Sequence, residues 1–250
     1  MNKDIKTNNK EAWNSLYGQK YLSGGSALPA WGITSIGSDI TPKIITINNK
    51  TILELGCGDG QSVEYILKNK PKQYVGIDIS EEAIKKSKEK YQSELVHFIQ
   101  GDISKKLPFA DNSFDEVISI YGLGWSENIE FTVQEIYRVL KPGGKITFSW
   151  DHYLARVVGE SDGKIFFQGS YNEENPTVRF NWNQTGYNIT SFQAKPSTWI
   201  NLFLTKGFHL QHFYELSADI KNQTDHSFSQ IYSLSRSEKI PFTLLMQFIK

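Results

Sequence analysis

The chain lacks several features that define particular protein classes, namely paired cysteines, an excess of basic residues and long apolar segments. It holds one cysteine in 250 residues, which excludes an internal disulfide and a cysteine-cluster metal site and is compatible with a reducing compartment. Basic and acidic residues number 27 each, so no overall positive field draws the chain to nucleic acid or to an anionic membrane. Residues 1–10 lack the apolar segment of a secretory signal, and no run of about 18 apolar residues occurs. These absences predict a soluble, cytoplasmic protein.

The most informative segment that is present is a glycine-rich turn. A short apolar stretch, residues 52–55, carries Glu54 and runs into Gly56, Gly58 and Gly60. Glycine has no Cβ, so this spacing lets the backbone turn sharply and lets a ligand lie against bare peptide. Apolar residues at helical spacing follow the turn. The segment therefore predicts a strand, a turn and a helix around a nucleotide-type ligand site.

A dinucleotide site of the dehydrogenase type fits this turn less well. Its fingerprint is G-x-G-x-x-G, but Gln61 stands where the third glycine belongs. Glu54 at the end of the strand would repel a pyrophosphate and would favour a ligand with a positively charged end. A nicotinamide dehydrogenase is therefore the disfavoured alternative.

With these residues the chain resembles the class I S-adenosylmethionine-dependent methyltransferases, whose first motif reads acid-x-G-x-G-x-G. Later segments agree in order and spacing, namely residues 74–80, 96–103, 107–119 and 135–146. The resemblance covers roughly residues 45–150 and is closest to the type 11-like, small-molecule branch. It implies an α/β fold, with a Rossmann-like, doubly wound, mostly parallel seven-stranded sheet, an antiparallel last strand and a small inserted cap.

The same resemblance implies S-adenosylmethionine as the cofactor. Asp78 is expected to bond the ribose hydroxyls and Asp102 the adenine amino group, whereas Cys57 is expected to contribute only its backbone. The aromatic start of the chain resembles the family's region near the cofactor. The residues expected to contact the cofactor are Glu54, Gly56, Cys57, Gly58, Gly60, Asp78, Ile79, Asp102, Ile103, Ser119, Tyr17 and Tyr21.

Four parts are expected along the chain. Residues 1–40 would form a helical lid, although their aromatics would equally suit a short helix that only packs on the sheet. Residues 41–150 would form the cofactor-binding core, residues 151–195 an aromatic-rich cap with a hairpin, and residues 196–250 the C-terminal part of the core sheet. Within the last part, the pattern predicts a helix after Pro196, a strand after Gly207, and a final strand over residues 240–248.

The methyl acceptor is expected to meet aromatic side chains, because rings offer a large apolar contact area and stacking faces. Tyr121, Trp125, Tyr171 and Trp182 are the candidates, and the alternative is that the cap aromatics form a small core of their own. His152 is a weak candidate for a general base, since histidine titrates near neutral pH. His97 is expected to be packed in a buried strand. No histidine has metal-ligand spacing, so no metal is expected.

The leading hypothesis is a methyltransferase that acts on a small, aromatic or apolar molecule. A tRNA or protein methyltransferase of the same fold is the first alternative. One class of nucleic-acid methyltransferase, which modifies base amino groups, is disfavoured. Its Asn/Asp-Pro-Pro-aromatic motif is absent after the fourth strand, where the chain reads Ser-Ile-Tyr-Gly from Ser119. A non-catalytic partner subunit is the second alternative, although its cofactor motif would be damaged and this one is intact. The acceptor, the methylated atom and the oligomeric state stay open.

Overall fold

A computed structural model describes residues 8–18, 40–182, 186–217, 236 and 238–250, with the backbone alone for residues 179–182. Seven strands form one sheet in the order β10-β11-β5-β4-β1-β2-β3. The sheet strands are β1 Thr51–Leu55, β2 Gln73–Asp78, β3 Val96–Gln100, β4 Phe114–Ile120, β5 Leu140–Asp151, β10 His209–Leu216 and β11 Thr243–Ile249.

The pairing of the strands confirms the expected fold class. Strands β1 to β5 run parallel to one another, whereas β11 runs antiparallel to both β5 and β10. Thr243 at the start of β11 lies opposite Asp151 at the end of β5. In an open sheet of this kind, ligands bind beyond the carboxyl ends of the parallel strands. Those ends define the site edge of this molecule.

Helices connect the strands and cover both faces of the sheet. They are α1 Asn9–Gly18, α2 Thr41–Ile44, α3 Val63–Lys68, α4 Glu81–Lys90, α5 Ile129–Val139, α6 Tyr153–Val157 and α7 Pro196–Leu204, with a short 3-10 helix at Leu123–Trp125. The N-termini of α4 and α5 are capped by side chains, since Ser80 accepts a hydrogen bond from the Ala83 N–H and Asn128 accepts one from the Phe131 N–H. Such caps satisfy N–H groups that have no partner within the helix.

The two faces of the sheet carry separate apolar cores, because neighbouring residues of a strand point to opposite sides. On one face Phe148 stacks on Phe203 at 5.3 Å, and Phe203 stacks on Phe248 at 4.4 Å, between ring centroids. On the other face Ile52 and Ile118 pack within a second buried cluster. Burial on both faces explains why the parallel strands read as continuous apolar runs.

The cap and the C-terminal part follow the predicted pattern closely. The aromatic hairpin forms as β8 Thr177–Trp182 and β9 Tyr187–Phe192, and α7 begins at Pro196 as expected. A second hairpin, β6 Val158–Ser161 with β7 Lys164–Phe167, was not predicted. The prediction for His97 was wrong, because β3 is an edge strand and the side chain of His97 is exposed.

Of the lid range, residues 1–40, the structure describes residues 8–18 and 40. The helix α1 falls in that range, and the proposed boundaries of the four parts stay predictions. Among the residues described, no helix combines the length and the hydropathy that a membrane crossing requires.

A glutamate is buried at the edge of the sheet opposite to the site. Glu116 in β4 is 3% exposed, and its Oε2 has no hydrogen-bond partner among the described residues. Burial raises the pKa of Glu116 to about 8, against the opposing effect of the positive charges of Lys145 and Lys50. In the folded chain the carboxyl group of Glu116 therefore stays protonated at pH values at which the same group is ionised in the unfolded chain.

Glu116 should make the free energy of unfolding fall as pH rises. Its folded pKa lies above its unfolded value, so its contribution is complete below about pH 4.5 and is lost as pH rises through about 8. Replacing it by Glu116→Gln should flatten this slope and raise the free energy of unfolding at pH 9 by about 2 kcal/mol. Urea unfolding at pH 5, 7 and 9 measures the free energy of unfolding of the wild-type chain and of the variant. Glu89→Gln, on the exposed part of α4, is the control, and an equal response of both variants would contradict the assignment.

Candidate functional site

The glycine turn lies at the carboxyl end of β1 and is tied to its neighbours by backbone hydrogen bonds. The N–H groups of Gly56 and Cys57 both donate to the carbonyl of Ile77, at 2.8 and 3.1 Å. Gly56 has φ +70, and a Cβ there would lie 2.8 Å from the Cα of Gly122. A side chain at this position would meet both an unfavourable backbone conformation and the backbone of the next loop. Glycine is therefore required here by packing.

Asp78, the last residue of β2, connects the turn to the next helix. Its Oδ2 accepts the Gly58 N–H at 2.9 Å and its Oδ1 accepts the Ser80 N–H at 2.8 Å. Burial raises the pKa of Asp78, and these two backbone hydrogen bonds act against that rise. Each carboxylate oxygen can accept more than one hydrogen bond, so Asp78 keeps capacity for hydroxyl groups of a ligand.

Glu54 lies behind the turn and is held by two side chains. Its Oε1 accepts from the Ser62 hydroxyl at 2.7 Å, and its Oε2 accepts from the Tyr74 hydroxyl at 2.6 Å. It is 2% exposed, and burial raises its pKa to about 7 against the effect of both hydrogen bonds. The two hydrogen bonds of Glu54 therefore fix the turn from behind the glycine backbone, and its contact with a cofactor stays a prediction.

A third acid lies on the turn itself. The Oδ1 atom of Asp59 is buried and has no hydrogen-bond partner among the described residues. Burial raises the pKa of the Tyr17 hydroxyl, and the nearby charges of Asp78 and Asp59 raise it further. An unpaired carboxylate oxygen beside two further acids favours a positively charged group. This agrees with the expectation from the sequence that the ligand has a positive end.

Helix α1 lies across the site edge and covers the turn. The Tyr17 ring packs over Gly58 so closely that a Cβ on Gly58 would overlap the Tyr17 hydroxyl. The Lys86 ammonium donates to the Tyr17 carbonyl, and Asn14 Oδ1 accepts from both the Ser80 hydroxyl and the Glu81 N–H at 2.9 Å. The C-terminal half of α1 is thus fixed to the start of α4.

The N-terminal half of α1 is fixed to the cap and to the 3-10 helix. Asn9 is 2% exposed, and its Nδ2 donates to the carbonyls of Trp125 at 3.0 Å and Thr190 at 2.9 Å. Its Oδ1 accepts the Thr190 N–H at 2.8 Å. One side chain therefore joins three parts of the chain that are far apart in sequence.

A cavity of about 430 Å³ opens beside α1 at the ends of β2 and β3. Asp102 borders it, although its Oδ1 also accepts the Ser104 N–H at 2.8 Å, an ordinary turn contact. The lining residues are Asn8, Asn9, Lys10, Ile79, Gln100, Gly101, Asp102, Lys105 and Glu127. Of the sequence candidates, the structure brings Ile79 and Asp102 together in this cavity.

Three other residues that are expected to contact the cofactor make contacts that stabilise the surrounding strands and turn. The Ser119 hydroxyl donates to the Leu55 carbonyl at 2.8 Å, which joins β4 to the end of β1. Ile103 is buried in the core, and its carbonyl accepts from the Thr132 hydroxyl. The Cys57 thiol is buried against Gly76. Contact of these residues with a cofactor stays a prediction.

A row of aromatic rings extends from α1 along the site edge. The aromatic row comprises Tyr17, Trp13, Trp125, Trp150 and Tyr121, with successive ring centroids 6.2, 5.2, 5.3 and 5.9 Å apart. Two of the predicted pocket residues, Tyr121 and Trp125, therefore share contact with Trp150. The row forms an apolar wall beyond the ends of β4 and β5.

Tyr121 has an unusual backbone conformation. Its φ is +49, which bulky residues rarely adopt, and its hydroxyl is 2.6 Å from the Thr243 hydroxyl. Backbone strain of this kind concentrates at functional sites. Burial and the nearby charge of Asp151 raise the pKa of Tyr121, so the phenol is neutral.

The structure does not bring Tyr171 to the aromatic row. Tyr171 packs on Tyr153 at 5.6 Å in a separate small cluster of the cap, with the Lys195 ammonium over its ring. This is the alternative that the sequence left open for the cap aromatics. The side chain of Trp182 and the whole of Tyr21 lie outside the described residues.

His152 is buried with both ring nitrogens in use. Its Nδ1 accepts the Leu154 N–H at 3.0 Å, which caps α6, and its Nε2 lies 2.7 Å from Glu215 Oε1. Nδ1 is thus an acceptor, so the proton is on Nε2 and points to Glu215. Burial lowers the pKa of His152, against the effect of Glu215. These contacts favour a structural role, and the general-base assignment stays a prediction.

Within the described ranges, no group of three or more histidine, cysteine, aspartate or glutamate side chains has the arrangement of a metal site. Sequence reasoning also missed residues that build the candidate site. Ser62 and Tyr74 hold Glu54, and Asn9 and Asn14 hold α1. No motif marks them, because each acts on a residue that is distant in sequence or buried below the turn.

Comparison with known proteins agrees with this geometry. A model of a methyltransferase domain family matches residues 53–148. The phthiotriol/phenolphthiotriol dimycocerosates methyltransferase of Mycobacterium leprae is 32% identical over 117 residues, which are 46% of this chain and 43% of that protein. The fatty-acid O-methyltransferase of Mycolicibacterium smegmatis is 30% identical over 104 residues, 41% of this chain and 38% of that protein. The match thus spans less than half the length of these relatives.

Among solved structures, an S-adenosylmethionine-dependent methyltransferase from Mesorhizobium loti superposes with a TM-score of 0.72. The superposition covers 85% of this chain and 96% of that one, at 19% sequence identity. At this identity the likeness shows a shared fold.

The contact between Gly58 and Tyr17 can be tested by unfolding. Gly58→Ala should lower the free energy of unfolding by about 2 kcal/mol, because alanine is strained at φ +55 and its Cβ displaces the Tyr17 hydroxyl. Gly143→Ala is the matched control, since φ there is +75 but no heavy atom of the described residues lies within 4 Å of its Cβ position. Urea unfolding should show a larger loss for Gly58→Ala, and the excess should vanish in a Tyr17→Ala background. Equal losses in both glycine variants would contradict the packing of Tyr17 on the turn.

Proposed function

We propose that the chain is a class I, S-adenosylmethionine-dependent methyltransferase that transfers a methyl group to a small apolar or aromatic molecule, since the model of a methyltransferase domain family matches residues 53–148. The observation that carries the proposal is the glycine turn at the end of β1, with Asp78 bonded to its backbone and three acids around it.

The residues of the site fit S-adenosylmethionine. Ile79 and Asp102 would hold the adenine end in the cavity beside α1, and the remaining capacity of Asp78 would hold ribose hydroxyls. The unpaired Oδ1 of Asp59, with the charge of Glu54 behind the turn, suits the positively charged end of the ligand. When bound, the cofactor supplies an electrophilic methyl group on a sulfonium centre.

The chain's own contribution to the chemistry is to orient the acceptor and exclude water. Methyl transfer from a sulfonium disperses positive charge, so a dry pocket favours it over a wet one. Trp125 and Trp13 of α1 are partly exposed and form an apolar wall at the site edge, with the buried Trp150 behind them. Rings that hold an apolar acceptor in a fixed position can supply much of the acceleration.

The preference for a small apolar or aromatic acceptor rests on the aromatic row and on two relatives. The names of those relatives refer to a fatty acid and to phthiotriol dimycocerosates, which agree with an apolar acceptor. The equal numbers of basic and acidic residues agree with the absence of a nucleic-acid substrate.

Calorimetric titration with S-adenosylmethionine, S-adenosylhomocysteine and NAD tests the cofactor. Both sulfur ligands should bind and NAD should not, and Asp78→Asn should weaken their binding tenfold or more, about 1.4 kcal/mol, because the amide cannot satisfy both backbone donors and the ligand. Asp115→Asn is the matched control. That carboxylate accepts the Thr51 N–H at the opposite edge of the sheet, so its loss should affect stability and leave affinity unchanged. Binding of NAD alone, or of none of the three, would overturn the proposal.

We further propose that α1 is a lid that closes over the bound cofactor, and its fixation through Asn9 makes this testable. Asn9→Ala removes three buried hydrogen bonds, so the free energy of unfolding should fall by about 2 kcal/mol and the affinity for S-adenosylhomocysteine about tenfold. Thermal unfolding and calorimetry measure the two effects. Asn69→Ala, whose amide donates only to the exposed turn of α3, should change neither. An unchanged affinity in Asn9→Ala, with the effect of Asp78→Asn intact, would refute the lid while leaving the cofactor assignment in place.

A further inference from the structure

A buried glutamine follows β9 at the point where the cap meets the sheet. Gln193 is 2% exposed, and its Nε2 donates to the Ser191 hydroxyl at 2.7 Å and to Asp151 Oδ2 at 3.4 Å. The carboxylate can only accept, so it fixes the amide with the NH₂ group towards Asp151 and the carbonyl away from it. That carbonyl oxygen, Oε1, is buried and has no hydrogen-bond partner among the described residues.

A buried amide carbonyl without a donor is costly. Leaving such an acceptor unsatisfied destabilises a fold, and most buried polar atoms find a partner. A methionine or leucine would fill the same volume without that cost. A ligand that brings a hydrogen-bond donor would remove it.

Gln193 is linked to the end of the aromatic row through Asp151. Asp151 is the last residue of β5, at the carboxyl edge of the sheet, and it lies opposite Thr243 in β11. Thr243 is hydrogen-bonded to Tyr121 of the row, and the charge of Asp151 acts on the Tyr121 hydroxyl. Polar groups of the cap and the sheet therefore meet beside the apolar wall on which the proposed acceptor would lie.

The chemistry of these groups selects the ligand. An unpaired carbonyl requires an O–H or N–H donor, whereas the neighbouring Asp151 carboxylate repels an anion. The aromatic row requires an apolar or aromatic body, and it adds an unpaired donor of its own, because Trp150 Nε1 has no partner among the described residues. A hydroxyl group is both donor and acceptor, and a phenol or alcohol matches this set best.

We propose that Gln193 and Asp151 select a methyl acceptor that carries a neutral hydroxyl or amine on an apolar body, and that they reject an ionised carboxylate. This inference rests on the proposed function, since it names the acceptor class of the same site.

Three aromatic probes of similar size test the selection. Phenol, toluene and benzoate are titrated by calorimetry or ligand-observed NMR into the full chain saturated with S-adenosylhomocysteine. Phenol should bind at least fivefold more tightly than either of the others. In Gln193→Met the preference for phenol over toluene should fall to within twofold, and in Asp151→Asn the discrimination against benzoate should weaken several-fold.

Gln247→Met is the matched control. Gln247 is also a buried amide whose carbonyl has no partner among the described residues, but it lies opposite Thr147, four residues before Asp151 along β5. Its replacement should leave the preference for phenol unchanged. A crystal structure of the wild-type chain with phenol provides a readout that needs no variant, and its phenol oxygen should lie within hydrogen-bond distance of Gln193 Oε1.

The outcomes separate the two proposals. Absence of S-adenosylhomocysteine binding in the wild-type chain would reject the proposed function. Intact S-adenosylhomocysteine binding, with toluene or benzoate bound as tightly as phenol or with none of the three bound, would reject the selection by Gln193 and Asp151. A protein donor or water alone on Gln193 Oε1 in the crystal structure, or an equal loss of preference in Gln247→Met, would reject it as well.

Discussion

The hydrogen bond from the Gly58 N–H to the Asp78 carboxylate is the contact on which the rest of the site depends. It joins the turn after β1 to the end of β2, and the second oxygen of the same carboxylate accepts from Ser80, the cap of α4. Strand, turn and helix are therefore fixed by one side chain. Because Asn14 of α1 is bonded to Ser80, the position of α1 follows from the same carboxylate.

The acids of the site have different roles although they lie close together. Glu54 is enclosed by Ser62 and Tyr74, so both of its oxygens are used to hold the turn. Asp78 holds the backbone and keeps acceptor capacity, whereas Asp59 keeps an oxygen without a partner among the described residues. Burial raises the pKa of Glu54 to about 7 and also raises that of Asp78, because the charged forms lose hydration. Neighbouring negative charges, that of Asp78 on Glu54 and that of Asp59 on Asp78, raise both pKa values further. A positive ligand group would offset these effects, which links the electrostatics of the site to the charge of its ligand.

The fold and the glycine turn of the candidate site could be predicted from the sequence because both depend on short-range patterns. Alternating glycines, apolar strands and Pro196 at the start of a helix are local signals, and the structure has the corresponding elements. Burial at the sheet edge could not be predicted in this way, because the exposure of His97 depends on β3 having no neighbour on one side. The second hairpin, β6 with β7, was missed because its strands are four residues each and Phe166 and Phe167 are exposed, so no alternating buried pattern marks it.

The same limit explains which site residues the sequence could identify. Motif residues such as Gly58 act on their immediate surroundings, so their spacing carries the signal. Asn9 is separated from its partner Thr190 by 181 residues, and Gln193 from Asp151 by 42 residues, so their partners are known only once the sheet has brought them together. Asn9 has all its bonds satisfied by protein groups, which assigns it to holding α1. Gln193 has a carbonyl without a partner among the described residues, as Gln247 does, but it lies beside Asp151 at the carboxyl end of β5. Hydrogen bonding and position together, rather than residue type or burial, are therefore the grounds on which we propose that Gln193 faces a ligand.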